Sequence, residues 1–244
     1  MRLLAIETAT SEGSVALLDG PDLIREISGS VPQRHLEWLA PAIAELLDDA
    51  GWRPGDVEGV AVSMGPGGFT GLRIGIATAA AWAYARRVPV VGVSTLEVVA
   101  TGTAIGGAAG LICPVLDARR EEVAFALFEW RPPAVRVLAD TIGPVTALLD
   151  RMPPQAPVIF SGDGVPRIRD AIRPRPQSVI APERSWHPRA AVTGAVGLAR
   201  LARCEHDDPA LLRPVYARGA GITPSRWSTP PAGGEGTPRR AGEE

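Results

Sequence analysis

The sequence contains no lysine; all 25 of its basic residues are arginine. That absence excludes a P-loop lysine, a Schiff-base lysine and the catalytic lysine of a protein kinase. A genomic preference for arginine codons accounts for the bias, and the chemical exclusion stands whatever its origin. Cysteine is scarce. Cys113 and Cys204 form no metal-type spacing, and their apolar neighbours predict buried thiols in a reducing compartment, so the expected location is the cytoplasm. The three histidines, His35, His187 and His206, stand far apart and in neither an H-x-x-x-H nor an H-E-x-x-H arrangement. No serine sits in a G-x-S-x-G elbow, so no catalytic triad is proposed. No uninterrupted apolar stretch reaches membrane-span length, and the N-terminus turns acidic at Glu7, too early for a signal peptide. Neither sign of charge dominates: the net charge is −2, which gives no global field favouring nucleic acid.

What is present is an ordinary globular composition, 244 residues with 45% hydrophobic and 21% charged residues, enough for one large domain or two lobes. Three strands are predicted first, Arg2–Glu7, Ser14–Leu18 and Leu23–Ile27, punctuated by Gly13 and Gly20-Pro21. A helix follows over about Arg34 to Ala50, with Leu36, Leu39, Ile43, Leu46 and Leu47 as its apolar stripe, Gly51 as its stop, and a kink or break expected at Pro41. Next come a strand over Val57–Ser63, a helix over Thr70–Arg86 and a strand over Val88–Val93. The second half reads as a looser copy. Its strands are Leu111–Leu116, Glu122–Phe128, Ala134–Ala139, Val158–Phe160 and Ser178–Ile180, and its helices lie near Val145–Met152 and Val165–Ile172. A last amphipathic helix spans about Arg189 to Arg203. Repetition of one strand-and-helix order at this scale predicts two similar lobes, joined near the small-residue stretch Ala100 to Gly110, with a ligand cleft between them. From Gly219 onward the composition turns to Gly, Pro, Ser and Thr, too little apolar surface to order itself.

The most informative segment is Gly65-Pro66-Gly67-Gly68-Phe69-Thr70-Gly71-Leu72-Arg73-Ile74-Gly75. A strand, a glycine-rich turn and a helix start can aim backbone N–H groups at an anion, or can simply be a tight turn without a ligand. Glu7 and Asp117 each end the first strand of a lobe. As equivalents they could hold a hydrated Mg²⁺ beside nucleotide phosphates, or they could be strand-end acids bonding turn amides. Thr8 and its neighbours, and Ser161-Gly162-Asp163-Gly164, pose the same choice between phosphate contact and ordinary turn. Gly71, Gly75, Ala79 and Ala83 form a small-residue ridge at four-residue spacing. With Leu72, Ile76 and Ala80 assigned to the sheet side, the ridge, with Thr78 and Trp82 beside it, is expected to face a partner; packing within the chain is the alternative.

These residues resemble those of the TsaB (YeaZ) family, whose members take part in making threonylcarbamoyladenosine on tRNA. The resemblance runs from Leu3 to about Arg218. It rests on Leu4-Ala5-Ile6-Glu7-Thr8 with Ser14-Val15-Ala16-Leu17, on Arg34-His35-Leu36-Glu37, and above all on the glycine segment. Gly92-Val93-Ser94-Thr95-Leu96, Asp117-Ala118-Arg119 and Pro214-Val215-Tyr216-Ala217-Arg218 also match.

The resemblance implies an α/β, two-lobed fold of the actin/sugar-kinase/Hsp70 type (ASKHA), built on duplicated βββαβα units with a reduced second lobe. Residues 1–103 would form the first lobe, 104–218 the second, and 219–244 a tail. It also implies kinship with TsaD, the catalytic paralogue, which carries a His-His-Met-Glu-Gly-His segment with two metal-binding histidines. Thr95 and Val99 stand where those histidines would be, and neither replaces an imidazole. The implied role is a non-catalytic scaffold and activator that pairs with TsaD as a heterodimer to form t6A37 in tRNAs reading ANN codons. TsaE would join as an ATPase, tRNA would be reached only through the complex, and no membrane would be involved; alone, the chain could pair with itself. The implied interface carries Leu36, Leu39 and Ile43 of the first helix and Gly71, Gly75, Ala79 and Trp82 of the second. No tightly bound cofactor is expected, although ATP or ADP with Mg²⁺ could sit near the interface, touched by Glu7, Thr8, Gly65, Gly67, Gly68, Thr70 and Asp117. The competing readings are an ATPase or small-molecule kinase of the same fold, and a metal-dependent protease, which the missing paired histidines oppose.

Overall fold

Strand β1 (Arg2–Glu7) is buried along nearly its whole length, with apolar side chains on both faces, as a strand must be if layers cover it on both sides. It pairs antiparallel with β2 (Glu12–Asp19), and β2 with β3 (Asp22–Ser30). Helix α1 (His35–Asp49), β4 (Gly59–Gly65), α2 (Phe69–Arg86), β5 (Val90–Ser94) and α3 (Thr95–Ile105) follow. Then β6 (Leu111–Arg119), β7 (Glu122–Glu129), β8 (Val135–Pro144), α4 (Val145–Arg151), β9 (Val158–Ser161), α5 (Val165–Ile172), β10 (Ser178–Ile180) and α6 (Ala190–Leu201) repeat the order. The computed structural model describes residues 1–31, 34–132, 134–175 and 177–215. Tyr216-Ala217-Arg218 and the tail from Gly219 lie outside them.

The two sheets are copies: β3-β2-β1-β4-β5 in one and β8-β7-β6-β9-β10 in the other. In each, three antiparallel strands are extended by two parallel ones, reached through crossover helices. The second copy has the shorter outer helices, 7 and 8 residues against 15 and 18. The first outer layer packs Leu39, Ile43 and Leu46 of α1 and Leu72 and Ile76 of α2 against Leu4, Ile6, Val15 and Leu17. In the second, Leu148, Ile168 and Ile172 cover Val115 and Phe125.

The inner layer departs from a simple split at residue 103. Helix α3 follows the first sheet yet packs on the second, with Leu96, Val99 and Ala100 against Ile112, Leu116 and Phe128. Helix α6 follows the second sheet yet packs on the first, against Leu3, Ala5, Ala16 and Ala61. The third strand of each sheet holds the N-terminus of the helix it receives. Glu26 of β3 pairs with Arg189 and accepts the Ala191 N–H at 3.1 Å, and Asp140 of β8 accepts the Ser94 hydroxyl at 2.9 Å. A cut at 103/104 therefore separates each sheet from a helix that covers it.

Helix α1 runs unbroken across Pro41, so the chain makes no local break there. Cys113 is buried in β6 as expected, whereas Cys204 is exposed, because it lies beyond the end of α6. Past α6 the chain crosses the free edge of β5, where Asp207 donates its N–H to the Val90 carbonyl and accepts the Gly92 N–H. Leu212 packs on the first core, and the Val215 N–H reaches the Met64 carbonyl at 2.7 Å.

Candidate functional site

The glycine segment turns inward. Gly65 has φ +109°, and a Cβ there would collide with the Val215 carbonyl. The Gly68 N–H donates to the Ala9 carbonyl at 2.7 Å, and the Thr8 hydroxyl donates to the Gly71 carbonyl at 2.9 Å. The loop thus clamps the end of β1 onto the first turn of α2. A Cβ on Gly71 would strike the Thr8 carbonyl, and one on Gly75 the Thr8 hydroxyl. The ridge Gly71, Gly75, Ala79, Ala83 is buried against the chain's own first strand and core, so the expectation that it faces a partner is overturned. The physical reason is distance: the helix axis comes so near β1 that no side chain fits between them.

The outward face is different. On α2, Thr70, Arg73, Ala77, Ala81, Tyr84 and Ala85 are exposed, with Ile74, Thr78, Ala80 and Trp82 half-buried. On neighbouring α1, Leu36, Ala40, Pro41 and Ala44 are exposed, while Leu39 and Ile43 belong to the core. Leu36 is 75% exposed and Tyr84 81%, so large apolar surface stands uncovered at both helices. Of the seven interface residues expected, Leu36 alone is fully on this surface, Trp82 lies half-buried beside it, and the other five are buried. The four-residue spacing of Ala77, Ala81 and Ala85 carried the missed signal. A helix apolar on all sides has two small ridges, and sequence spacing alone does not say which one faces out.

The acidic residues are brought together less than expected. Glu7 is fully buried on the α6 side of the sheet, where its carboxylate accepts the Ala9 N–H at 2.9 Å, the Thr193 hydroxyl at 3.1 Å and a close bond from Ser63. Burial pushes its carboxyl above the ordinary value, and these hydrogen bonds oppose that rise. Enclosed in this way, it presents no oxygen to a cleft. Asp117 does not hold the equivalent place. Ser161, the counterpart of Ser63 before a positive-φ glycine, stands opposite Pro114, and Asp117 lies further along an elongated hairpin. There it is paired with Arg167 (2.7 Å), and its N–H goes to Asp163, whose carboxyl burial pushes up. Of the other residues expected to touch phosphate, Thr8 and Gly65 are buried, whereas Gly67, Gly68 and Thr70 are exposed.

Thr95 and Val99 are buried, and the Thr95 hydroxyl has no partner among the described residues. His35 is also buried; its Nε2 has no partner among them either, and desolvation holds its pKa below the usual imidazole range. Among the described residues no cluster of three or more His, Cys, Asp or Glu could hold a metal ion, and no helix is long and apolar enough to cross a membrane.

A family model described as "TsaD: tRNA N6-adenosine threonylcarbamoyltransferase" matches residues 20–181. The tRNA threonylcarbamoyladenosine biosynthesis protein TsaB of Bacillus subtilis is 34% identical over 131 residues, which cover 54% of this chain and 56% of that protein. YeaZ from Pseudomonas aeruginosa superposes with a TM-score of 0.78 at 28% identity, over 88% of this chain and 99% of that one.

The chain belongs to the TsaB/YeaZ family.

The match spans about half the length of the first curated relatives. The ASKHA fold of the family extends to more remote proteins. An activator of 2-hydroxyisocaproyl-CoA dehydratase from Clostridium difficile, solved with ADPNP, shares it with a TM-score of 0.52 at 12% identity, a likeness of fold alone.

Proposed function

We propose that this TsaB/YeaZ-type chain serves N6-threonylcarbamoyladenosine formation on tRNA as a non-catalytic, activating subunit. In this reading it docks a TsaD-type partner on the outer face of α1 and α2, TsaE joins the pair, and tRNA is reached through the assembly. The observation that carries it is the uncovered apolar surface of Leu36, Ala40, Ala44, Ala77, Ala81 and Tyr84 on two adjacent helices. Such a face fits the desolvated centre of an interface, where small residues let a second helix pair approach closely. The TsaB relative, named for threonylcarbamoyladenosine biosynthesis, supports the pathway. Any nucleotide and Mg²⁺ would belong to the assembled interface, because Glu7 is enclosed within this chain.

Ala81→Arg tests the docking. Ala81 is exposed, so stability should stay within about 0.5 kcal/mol of wild type, while co-elution with a TsaD-type protein on size exclusion should be lost. Undiminished co-elution would remove the face from the interface. Threonylcarbamoyl transfer to tRNA by the isolated chain would overturn the non-catalytic role.

A further inference from the structure

The two copies treat their matching sheet edges differently. In the first sheet, β5 is an edge strand covered by the chain's own residues after α6. The Asp207 N–H donates to Val90, the Asp207 carboxylate accepts the Gly92 N–H at 2.7 Å, and Leu198 and Leu201 of α6 pack on the inner side of the strand beside Val91. Pairing register identifies the equivalents in the second sheet. Ala61 and Val62 stand opposite Val91 and Gly92, and Ile159 and Phe160 opposite Val179 and Ile180, so the Ser178 carbonyl and the Ile180 N–H take the places of the two groups that Asp207 binds.

The edge of β10 is bare: among the described residues it pairs only with β9. Helix α3, which stands here as α6 stands in the first copy, stops at Ile105 and is followed by Gly106-Gly107-Ala108, small residues where α6 offers leucines. A groove of about 230 Å³ remains, lined by Thr103, Gly106, Ile159, Val179, Ala181 and Arg184. Val179 is 52% exposed and Ile105 64%, and Arg184 at the rim makes no ion pair among the described residues.

We propose that the β10 edge and the groove behind it bind an extended segment of a partner protein that carries an aspartate or glutamate next to an apolar residue. The carboxylate would accept the Ile180 N–H, as Asp207 accepts that of Gly92, and would lie within the field of Arg184. The apolar side chain would fill the space that Leu198 and Leu201 fill in the first copy. This is strand addition at a sheet edge: backbone bonds give affinity, and the pocket gives selectivity. The surface lies on the second sheet and is separate from the α1–α2 face.

The chain's own edge-covering segment provides a probe: an acetylated synthetic peptide of residues 205–215 carrying His206→Leu, which sets an apolar side chain next to Asp207, with a second such peptide in which Asp207 and Asp208 become asparagine. With the full chain, the first peptide should slow hydrogen–deuterium exchange over residues 178–185. Arg184→Glu, at an exposed position, should weaken binding about fivefold or more without shifting the unfolding midpoint, and the asparagine peptide should bind correspondingly less well. Absence of protection at 178–185 at millimolar peptide, protection confined to Val90–Gly92, or equal binding by Arg184→Glu and by the asparagine peptide would each overturn the proposal.

Discussion

At the scale of single residues, Glu7 illustrates how burial reassigns a candidate. An acid at a strand end next to Thr8 and a glycine loop has the chemistry to hold hydrated Mg²⁺. Here it serves the interior instead, collecting Ser63 of β4 and Thr193 of α6 around one carboxylate. Desolvation raises its pKa, so the native state binds the proton more tightly than the unfolded chain does. The contribution of Glu7 to stability is therefore greatest with the carboxyl protonated and falls as pH rises from about 4.5, its ordinary value, through the raised one. Glu7→Gln should flatten that part of the profile, as measured by urea midpoints from acidic to neutral pH. An unchanged slope would show that Glu7 titrates in the native state as it does unfolded.

At the scale of elements, α2 is the informative case. Its start, end and alanine-rich body are legible in the sequence, since the glycine turn and the Ala run mark a strand-to-helix junction. Its orientation is not. Leu72, Ile76 and Ala79 on one side and Ile74, Ala77 and Ala81 on the other give nearly the same apolar content around the helix. What selects the buried side is the clamp of Thr8 and Ala9 on Gly71, Gly68 and Gly67, a contact between residues some sixty positions apart. Gly75→Ala should therefore destabilise the isolated chain by about 1–3 kcal/mol, because a methyl group there meets the Thr8 hydroxyl. Equilibrium denaturation measures this directly, and a wild-type midpoint would place the helix further from β1 than described. A leucine at Gly75 is expected to unfold the chain rather than only to block assembly. Pro41 shows the opposite balance, because packing of Leu39, Ile43 and Leu46 keeps α1 continuous across a residue that disfavours helix.

At the scale of the whole molecule, exchange of α3 and α6 makes each sheet depend on the other copy for its inner cover. Residues 1–103 lack α6, so Leu3, Ala5, Leu18 and Ala61 would be open to water in that fragment. The fragment should fail to give a dispersed amide NMR spectrum, whereas the full chain should unfold in a single calorimetric transition. A folded fragment 1–103 would mean that α6 is dispensable to the first sheet. The same exchange locates the edges. The chain after α6 seals β5, while the chain after α3 passes directly into β6 and leaves β10 open.

Residue order alone defined the strands, their repetition and every α-helix except α3, part of which reads as the join between lobes, because alternation, helical periodicity and glycine punctuation are local properties of the chain. The lack of lysine and of paired histidines likewise narrowed the chemistry through composition and spacing, which do not depend on folding. Tertiary packing decided which face of α2 is buried, that Glu7 is enclosed and Asp117 displaced, and which helix covers which sheet. Each of these depends on contacts between distant residues whose local patterns are compatible with more than one arrangement.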